Sequence, residues 1–391
     1  MGRVKRIIRE VKRSGDRALI KFSAKFDRVR LDPGEIEISR EEINRMAAET
    51  PKNLAAAISQ AAENVSDYAR SEVAALKEVE YEKKGIHITS RFIPVKKCGV
   101  YVPGGRYSYP STVLMTAILA REVGVEEVIV SSPPGNITPA LCYAAKLSGV
   151  SRMFRVGGAH SIAAMAYGTE TIPQVDLIVG PGNSFVQRAK SLLNAEGVVG
   201  IDMAAGPSEV ALIADEDQDP DIIATDLSAQ AEHDPEAKAY LISWDSTILS
   251  RVARLLPREF SKQIEIIRVK TPIHAASESN RIAPEHLQLM CEPSNLELII
   301  GEIRNAGAVF IGHFSPVALG DYWAGPSHTL PTGRTARFSE GLCVRTFLKN
   351  VAFITATGEG IAWSAPGIIL IAEEEGMKYH ALSLKKRVEK E

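Results

Sequence analysis

Cysteine, net charge and long hydrophobic runs are all scarce in this sequence of 391 residues. The four cysteines form no C-x-x-C pair, which excludes a disulfide framework or a thiolate zinc site and favours a reducing cytoplasm. The formal charge of -2 gives no basic excess for the phosphates of a nucleic acid or for a membrane surface. We therefore expect neither a nucleic acid nor a membrane among the partners.

No apolar segment is long enough to span a bilayer or to serve as a signal peptide, although the N-terminus is basic. The G-x-G-x-x-G fingerprint of dinucleotide binding is also missing. Hydrophobic residues make up 45% and charged residues 24%, as in an ordinary globular protein, and the length allows two core-forming domains. These features predict a globular cytoplasmic protein.

Strands, glycine-rich turns and helices alternate from residue 101 to 214 and again from 215 to 312. Such alternation predicts mostly parallel sheets covered by helices, with ligands at the carboxyl ends of the strands. Residues 4–26 and 41–76 have a helical pattern, and residues from 372 onward form a charged helix. We therefore predict an α/β fold with two Rossmann-like parallel-sheet units, a helical N-terminal layer and a C-terminal helical tail.

One short predicted helix ends in two residues that can donate lone pairs. It begins at Asp219-Pro220, a cap residue followed by proline at the first helical position, and it ends before Pro235. Gln230 and His233 stand one turn apart at its end, so we expect both at the edge of a cleft. We interpret this pair as half of a metal site.

The other half of that site is assigned to Asp321, in a long polar loop of residues 315–339, and to His380. Zinc accepts nitrogen and oxygen ligands, although an amide is an unusual one. Ordinary surface histidines remain the alternative on spacing alone. His328 adds an imidazole to the same loop, for which a simple Asp-initiated turn is the alternative.

Glu285 and His286 place a carboxylate beside an imidazole at the end of an apolar strand, where active sites of α/β proteins cluster. A carboxylate can activate water, and an imidazole can accept the proton of an alcohol. Neighbouring residues on an extended chain point to opposite sides, so the two would serve different protons. A turn cap beside a solvated histidine is an equal alternative.

Residues 180–183, Gly-Pro-Gly-Asn, precede a predicted helix and would offer backbone N–H groups to a pyrophosphate. A tight turn between a strand and a helix is the alternative. The turn alone does not predict a nucleotide.

Taken together, the motifs resemble the histidinol dehydrogenase family, and they run in order across nearly the whole chain. They are YVPGGR at 101–106, YPSTVLM at 109–115, VGGA at 156–159, VGPGN at 179–183, DMAAGPSE at 202–209, QAEHDP at 230–235, APEHL at 283–287, GDY at 320–322 and HTLPT at 328–332. The set is specific, whereas each motif alone is not.

The resemblance implies a metal centre that two subunits share. One zinc per subunit would be bound by Gln230, His233, Asp321 and His380, with His380 reaching the active site of the partner in a homodimer. Zinc would hold the imidazole and amino group of the substrate without a redox change.

The resemblance also implies roles for residues outside the metal set. His286 would be the base for the alcohol proton, and Glu285 would activate the water that attacks the aldehyde. Contacts to the substrate are implied for the four metal-binding residues and for three others, Ser208, His328 and Glu375. Contacts to NAD are implied for Tyr101, His160 and Asn183.

The implied reaction is the oxidation of L-histidinol to L-histidine by two NAD molecules through histidinaldehyde, the last step of histidine biosynthesis. Residues 1–100 and 215–345 would form the domain with the metal and catalytic residues, 101–214 the cofactor domain, and 346–391 a dimerisation tail.

Two departures from the family pattern keep an alternative open. His160 stands where the family usually has glutamine, and the match enters near residues 15–19 with less N-terminal helix, so we expect some dimer contacts to be replaced. The alternative is a paralogous zinc- and NAD-dependent dehydrogenase of another small alcohol, such as a sulfonated diol.

Overall fold

The structure, a computed structural model, describes residues 2–104, 107–203, 206–232 and 234–389. Contacts divide the chain into two compact units. The first comprises the described residues up to Glu72 together with those of Val95–Phe347, and the second comprises Val73–Pro94 and the described residues from Leu348 onward.

Helices and strands follow one another in the predicted alternation. The helices are α1 (Gly2–Phe22), α2 (Arg40–Ala48), α3 (Lys52–Ala75), α4 (Pro110–Glu122), α5 (Pro139–Leu147), α6 (Gly158–Tyr167), α7 (Ser184–Ala195), α8 (Pro220–Ala231), α9 (Ser246–Leu255), α10 (Pro272–Ile282), α11 (Pro293–Glu302), α12 (Val317–Tyr322), α13 (Gly358–Glu374) and α14 (Lys378–Val388). The strands are β1 (Glu37–Ile38), β2 (Val79–Lys83), β3 (Ile86–Pro94), β4 (Lys97–Tyr101), β5 (Glu127–Ser131), β6 (Arg152–Phe154), β7 (Leu177–Val179), β8 (Gly200–Ile201), β9 (Glu209–Ala214), β10 (Lys238–Ser243), β11 (Ile264–Arg268), β12 (His286–Met290), β13 (Ala308–Ile311) and β14 (Leu348–Ala356).

The first unit contains a six-stranded sheet in the order β1-β6-β5-β4-β7-β8. Its strands are parallel, except that the short β1 runs antiparallel to β6. The apolar face of α1, with Ile7, Val11 and Leu19 buried, packs into the same core as α6 and α7. The N-terminal helix therefore belongs to the core of this sheet.

The first unit also contains a five-stranded parallel sheet in the order β11-β10-β9-β12-β13. Apart from β1, both sheets follow one plan, in which the first strand lies at the centre, the next two strands lie on one side and the last two on the other. The predicted fold of two parallel-sheet units is confirmed. In such a plan the order of the strands reverses at the first strand. A crevice for a ligand opens there, at the carboxyl ends of the strands.

The second unit is built on an antiparallel sheet in the order β14-β3-β2, followed by α13 and α14. The predicted charged helix from residue 372 is in fact two helices, which separate at Gly376, where φ is +72°. Glycine adopts such an angle without strain, so the chain can turn there. None of the helices in the described part of the chain is long and apolar enough to cross a membrane.

Candidate active site

The predicted helix with Gln230 at its end is confirmed. Asp219 caps α8 by accepting a hydrogen bond from the N–H of Asp221 at 2.9 Å, and Pro220 is the first helical residue. Because α8 joins two parallel strands, β9 and β10, its end returns to the amino edge of the five-stranded sheet. Gln230 is 3% exposed, more deeply buried than the cleft edge that its spacing suggested.

Glu285 and His286 lie at the same amino edge of the sheet. His286 is the first residue of β12 and pairs with Val210, so Glu285 lies opposite Glu209. The pair lies at a strand end, as predicted, but it is the amino end, whereas ligands of parallel sheets generally bind at the carboxyl ends. At this edge the N–H of Glu209, the first residue of β9, donates to a carboxylate and not to a neighbouring strand.

The two side chains converge instead of pointing apart, which corrects the expectation drawn from an extended chain. Nδ1 of His286 lies 3.7 Å from Oε2 of Glu285. The cause is local, because Glu285 sits in a bend before β12, and Ala283 just before it has a left-handed conformation with φ of +50°. Gly307 packs against the bend, where a Cβ would lie 2.5 Å from the carbonyl oxygen of Glu285.

Glu209 holds both members of the pair through its backbone. Its N–H donates to Oε2 of Glu285 at 3.0 Å, and its carbonyl oxygen lies 3.3 Å from Nδ1 of His286. A carbonyl only accepts hydrogen bonds, so in the neutral imidazole Nδ1 of His286 carries the proton and Nε2 has the lone pair. Glu209 lies in the motif at 202–209, and no role was predicted for it. Its signal was a charge at the first position of the otherwise apolar strand β9.

Burial controls the acidity of the carboxyl groups at this edge. It raises the pKa of Glu285 to about 8, against the opposing effect of the hydrogen bond from Glu209. It also raises the pKa of Asp321 to about 6 and raises the pKa of Glu209. Three carboxyl groups that resist ionisation in one place are typical of sites that bind a cation or move protons.

Asp321 reaches this edge from α12. One of its carboxylate oxygens lies 3.7 Å from Nε2 of His286. The helix approaches closely because residue 320 is glycine, where a Cβ would lie 2.6 Å from the ring of Phe310. That ring is in turn 6.0 Å from the ring of His286.

Gly320→Ala should therefore displace Asp321 or the Phe310 ring and lower the free energy of unfolding by about 1–3 kcal/mol, the usual cost of overpacking. Gly301→Ala is the matched control, because nothing lies within 4 Å of its added methyl group and its helical position gains up to about 1 kcal/mol. Denaturant unfolding of both variants measures the difference. Equal free energies of unfolding for the two variants would contradict the close contact between Gly320 and the ring of Phe310.

Gln230 and Asp321 have the chemistry that a zinc ion needs. Nε2 of Gln230 is buried and has no hydrogen-bond partner among the described residues. The charge of Glu232, two residues after Gln230, contributes to the raised pKa of Tyr322. The end of α8 therefore lies near Asp321, which precedes Tyr322 in the chain. His233 lies outside the described residues. Those that are described contain no group of three or more acidic, histidine or cysteine side chains that could hold a metal.

Two of the predicted substrate contacts also reach this region. The side chain of Ser208 hydrogen-bonds Glu285. Nδ1 of His328 lies 3.0 Å from the carbonyl oxygen of Asp321, and its Nε2 lies 3.5 Å from the hydroxyl of Thr112 on α4. His328 therefore lies between α12 and a helix of the six-stranded sheet.

The other two predicted residues, Glu375 and His380, belong to the second unit, where both are exposed. Glu375 ends α13, and His380 lies in the first turn of α14. Their exposure leaves both side chains available to another molecule.

The predicted cofactor residues Tyr101 and Asn183 flank the crevice of the six-stranded sheet, at the carboxyl ends of β4 and β7. The hydroxyl of Tyr101 accepts a hydrogen bond from the N–H of Gly158 at 3.0 Å, and burial raises its pKa to about 12. Gly180 has a φ of +110°, and a Cβ there would lie 2.2 Å from the carbonyl oxygen of Tyr101. Asn183 caps α7 through two N–H groups at 3.1 and 3.2 Å. The backbone there forms a cradle that a side chain would fill.

His160, the third predicted cofactor residue, is 1% exposed and packs near the rings of Phe22 and Phe26. Neither ring nitrogen has a hydrogen-bond partner among the described residues, and Nε2 lies 3.8 Å from a carboxylate oxygen of Asp27. Burial lowers the pKa of His160 to about 3 and raises the pKa of Asp27 to about 6.

His160→Gln should make the protein less sensitive to acid. Folded His160 stays neutral down to about pH 3, whereas the unfolded imidazole binds a proton below about pH 6.5, so its contribution to stability is lost as the pH falls. The free energy of unfolding of the variant, relative to that of the unchanged protein, should rise by about 2 kcal/mol when the pH is lowered from 8 to 5. Denaturant unfolding of both proteins at pH 8 and pH 5 tests this prediction. A difference in free energy of unfolding that is the same at both pH values would contradict it.

Fold and site together define an α/β protein with a buried carboxyl and imidazole pair suited to moving protons. Comparison with known proteins narrows this class. The chain matches the family model for histidinol dehydrogenase over residues 1–388. The chain therefore belongs to the histidinol dehydrogenase family, and the resemblance seen in its motifs is confirmed.

Individual relatives agree with the family match. The chain is 42% identical over 404 residues to the histidinol dehydrogenase of Gluconobacter oxydans strain 621H, covering 99% of this chain and 92% of that protein. It is 39% identical over 399 residues to that of Methanosarcina mazei, covering 98% and 91%. The crystal structure of histidinol dehydrogenase from Elizabethkingia anophelis superposes with a TM-score of 0.92 at 34% identity, covering 100% of this chain and 92% of that one.

Proposed function

We propose that this protein is an L-histidinol dehydrogenase, which oxidises L-histidinol to L-histidine with two NAD molecules as the last step of histidine biosynthesis. The observation that carries the proposal is the Glu285 and His286 pair, buried at the amino edge of β12 in a chain of this family. The free cysteines suit a reducing compartment, and we place the enzyme in the cytoplasm. The comparisons give no support to the alternative of another small alcohol.

His286 is the base of the first oxidation. Its Nδ1 proton is directed at the carbonyl of Glu209, so Nε2 is free of a proton and accepts the one that leaves the alcohol. Asp321, at 3.7 Å from Nε2, stabilises the imidazolium that forms. The carbonyl of Glu209 thus fixes the tautomer of the neutral base, and Asp321 stabilises its protonated form.

Glu285 is the base of the second oxidation. Its carboxylate takes a proton from the water that adds to the aldehyde, and His286 takes the proton of the resulting hydrate. Burial raises the pKa of Glu285 to about 8, which makes its ionised form a stronger base than an exposed carboxylate. Ser208 and the N–H of Glu209 hold its oxygens in place.

Zinc would be held by Gln230, His233 and Asp321 together with His380 of a second subunit, where it would bind and orient the substrate as a Lewis acid, and NAD would accept a hydride in each oxidation. Gln230 would bind the metal through its amide oxygen, and its Nε2, buried without a hydrogen-bond partner among the described residues, could only donate. The cradle at Gly180, flanked by Tyr101 and Asn183, precedes the N-terminus of α7, where a phosphate of the dinucleotide would bind. His328 and Glu375 would contact the substrate.

Homodimerisation is part of the proposal because the second unit exposes many large apolar side chains. They include Tyr81, Phe353, Ile354, Trp363, Leu370, Ile371 and Tyr379. Apolar surface of this extent marks an interaction site. A second copy that covered it would also bring His380 and Glu375 to a neighbouring active site.

A substrate panel read by NADH absorbance tests the proposal. We expect histidinol to be oxidised far faster than alcohols without an imidazole, including sulfonated diols. We also expect a zinc chelator to abolish the activity and added zinc to restore it. Preference for an alcohol without an imidazole, or turnover that a chelator leaves intact, would contradict the proposal.

A further inference from the structure

A fully buried ion pair lies behind the glycine turn of the six-stranded sheet. Lys190 on α7 is 0% exposed at its side chain, and Asp202, just after β8, is 1% exposed. The amine of Lys190 contacts Oδ1 of Asp202, which also accepts the N–H of Met203 at 2.7 Å. Removing two charges from water costs several kcal/mol for each ion, so such a pair is weak evidence for stability alone.

Both partners bind the backbone of Gly180. Its N–H donates to Oδ2 of Asp202 at 2.7 Å, and its carbonyl oxygen accepts from the amine of Lys190 at 2.9 Å. The two peptide groups that meet at Gly180 are therefore held by opposite charges. They fix a residue that has a φ of +110° and no room for a side chain, since a Cβ added there would lie 2.2 Å from the carbonyl oxygen of Tyr101.

This turn is the cradle assigned above to the dinucleotide. Asn183, the N-cap residue of α7, follows Gly180 by three residues, and Lys190 lies on the same helix. The ion pair thus ties the turn to β8 on one side and to α7 on the other. No other buried cation among the described residues bonds the carbonyl of this turn.

We propose that Lys190 and Asp202 are positioning residues for NAD, which hold the Gly180 turn in the shape that receives the cofactor. The inference rests on the proposed function, because it takes this turn as part of the NAD site. Neither side chain needs to touch the cofactor, since the effect is transmitted by the two peptide groups of Gly180.

The test replaces both charges at once with Lys190→Met and Asp202→Asn. Replacing a buried ion pair by neutral residues of similar shape is often tolerated, so the double variant should fold. It nevertheless leaves the carbonyl of Gly180 without its donor. In the zinc-loaded enzyme we expect the Kd for NADH, measured by fluorescence titration, and the KM for NAD to rise about tenfold, or about 1.4 kcal/mol, with the KM for histidinol unchanged.

Asp215→Asn is the matched control. Asp215 is also 1% exposed and accepts a backbone N–H, from Glu292 at 2.6 Å, but it does so at the carboxyl edge of the other sheet. It should lose stability without a change in the Kd for NADH. Lys190→Gln is a second variant, which keeps a donor within reach of Gly180 and should give an intermediate Kd.

The possible results separate the inference from the proposed function. NADH binding by the folded double variant at the strength of the unchanged protein would overturn the inference and leave the function standing. An equal rise in the KM values for NAD and histidinol would also overturn it, because a general structural defect produces that pattern. Failure of the unchanged protein to bind NADH or to oxidise histidinol would remove the function and the inference with it.

Discussion

Glu285→Gln is expected to slow the oxidation of histidinaldehyde by about a thousandfold, within the usual range for loss of a general base. The oxidation of histidinol to the aldehyde should slow far less, because His286 serves that step. Glutamine keeps an oxygen that accepts the N–H of Glu209, so the fold at this edge is retained. Single-turnover NADH formation should show a fast first phase and a very slow second one.

The pH dependence of the second oxidation provides an independent check on Glu285. Since burial raises the pKa of Glu285 to about 8, the ionised base gains population as the pH rises, and aldehyde oxidation should rise with it. Glu285→Gln should lose the rise of aldehyde oxidation with pH. Asp215→Asn, which changes a buried carboxyl group at the other edge of the same sheet, should retain it. Two phases slowed to the same extent, with the pH profile intact, would contradict the assigned role.

His286→Asn should slow both oxidations by about a hundredfold or more, because the imidazole takes a proton in each. The asparagine amide can occupy the position of Nδ1 and still donate to the carbonyl of Glu209, so the change removes the base and keeps its anchor. Separate assays with histidinol and with histidinaldehyde measure the two effects.

His328→Asn is the matched control for His286→Asn. It likewise keeps a donor for the carbonyl of Asp321 and removes Nε2. We assign His328 to substrate contact, so this variant should raise the KM for histidinol more than it lowers kcat. A loss of kcat in His328→Asn as large as that in His286→Asn would contradict the division between binding and catalysis.

The elements that the sequence predicted well are those in which local signals agree. A β-branched run predicts a strand at 127–131 and a Thr-Pro start predicts a helix at 139–147, and the structure has both with these bounds. The antiparallel sheet of the second unit was not predicted. Its strands β3 and β14 lie far apart in sequence, and pairing over such a distance has no local signal.

The chemistry of the active site was harder to predict than its residues. The motif APEHL identified Glu285 and His286, but it carries no signal for the αL conformation of Ala283 or for the bend after it, which bring the two side chains together. The raised pKa of Glu285 likewise comes from burial in the tertiary fold. Glu209 and Lys190 act through hydrogen bonds to or from the backbone, and a charged residue beside apolar ones indicates burial without indicating that role.

The stoichiometry of the complete reaction tests the central claim most directly, because it examines the substrate, the cofactor and both oxidations at once. Limiting histidinol is converted to completion with excess NAD, and NADH and histidine are both quantified. We predict two NADH and one histidine for each histidinol consumed. One NADH for each histidinol, with the aldehyde as the product, would contradict the claim that Glu285 and His286 carry out two successive oxidations.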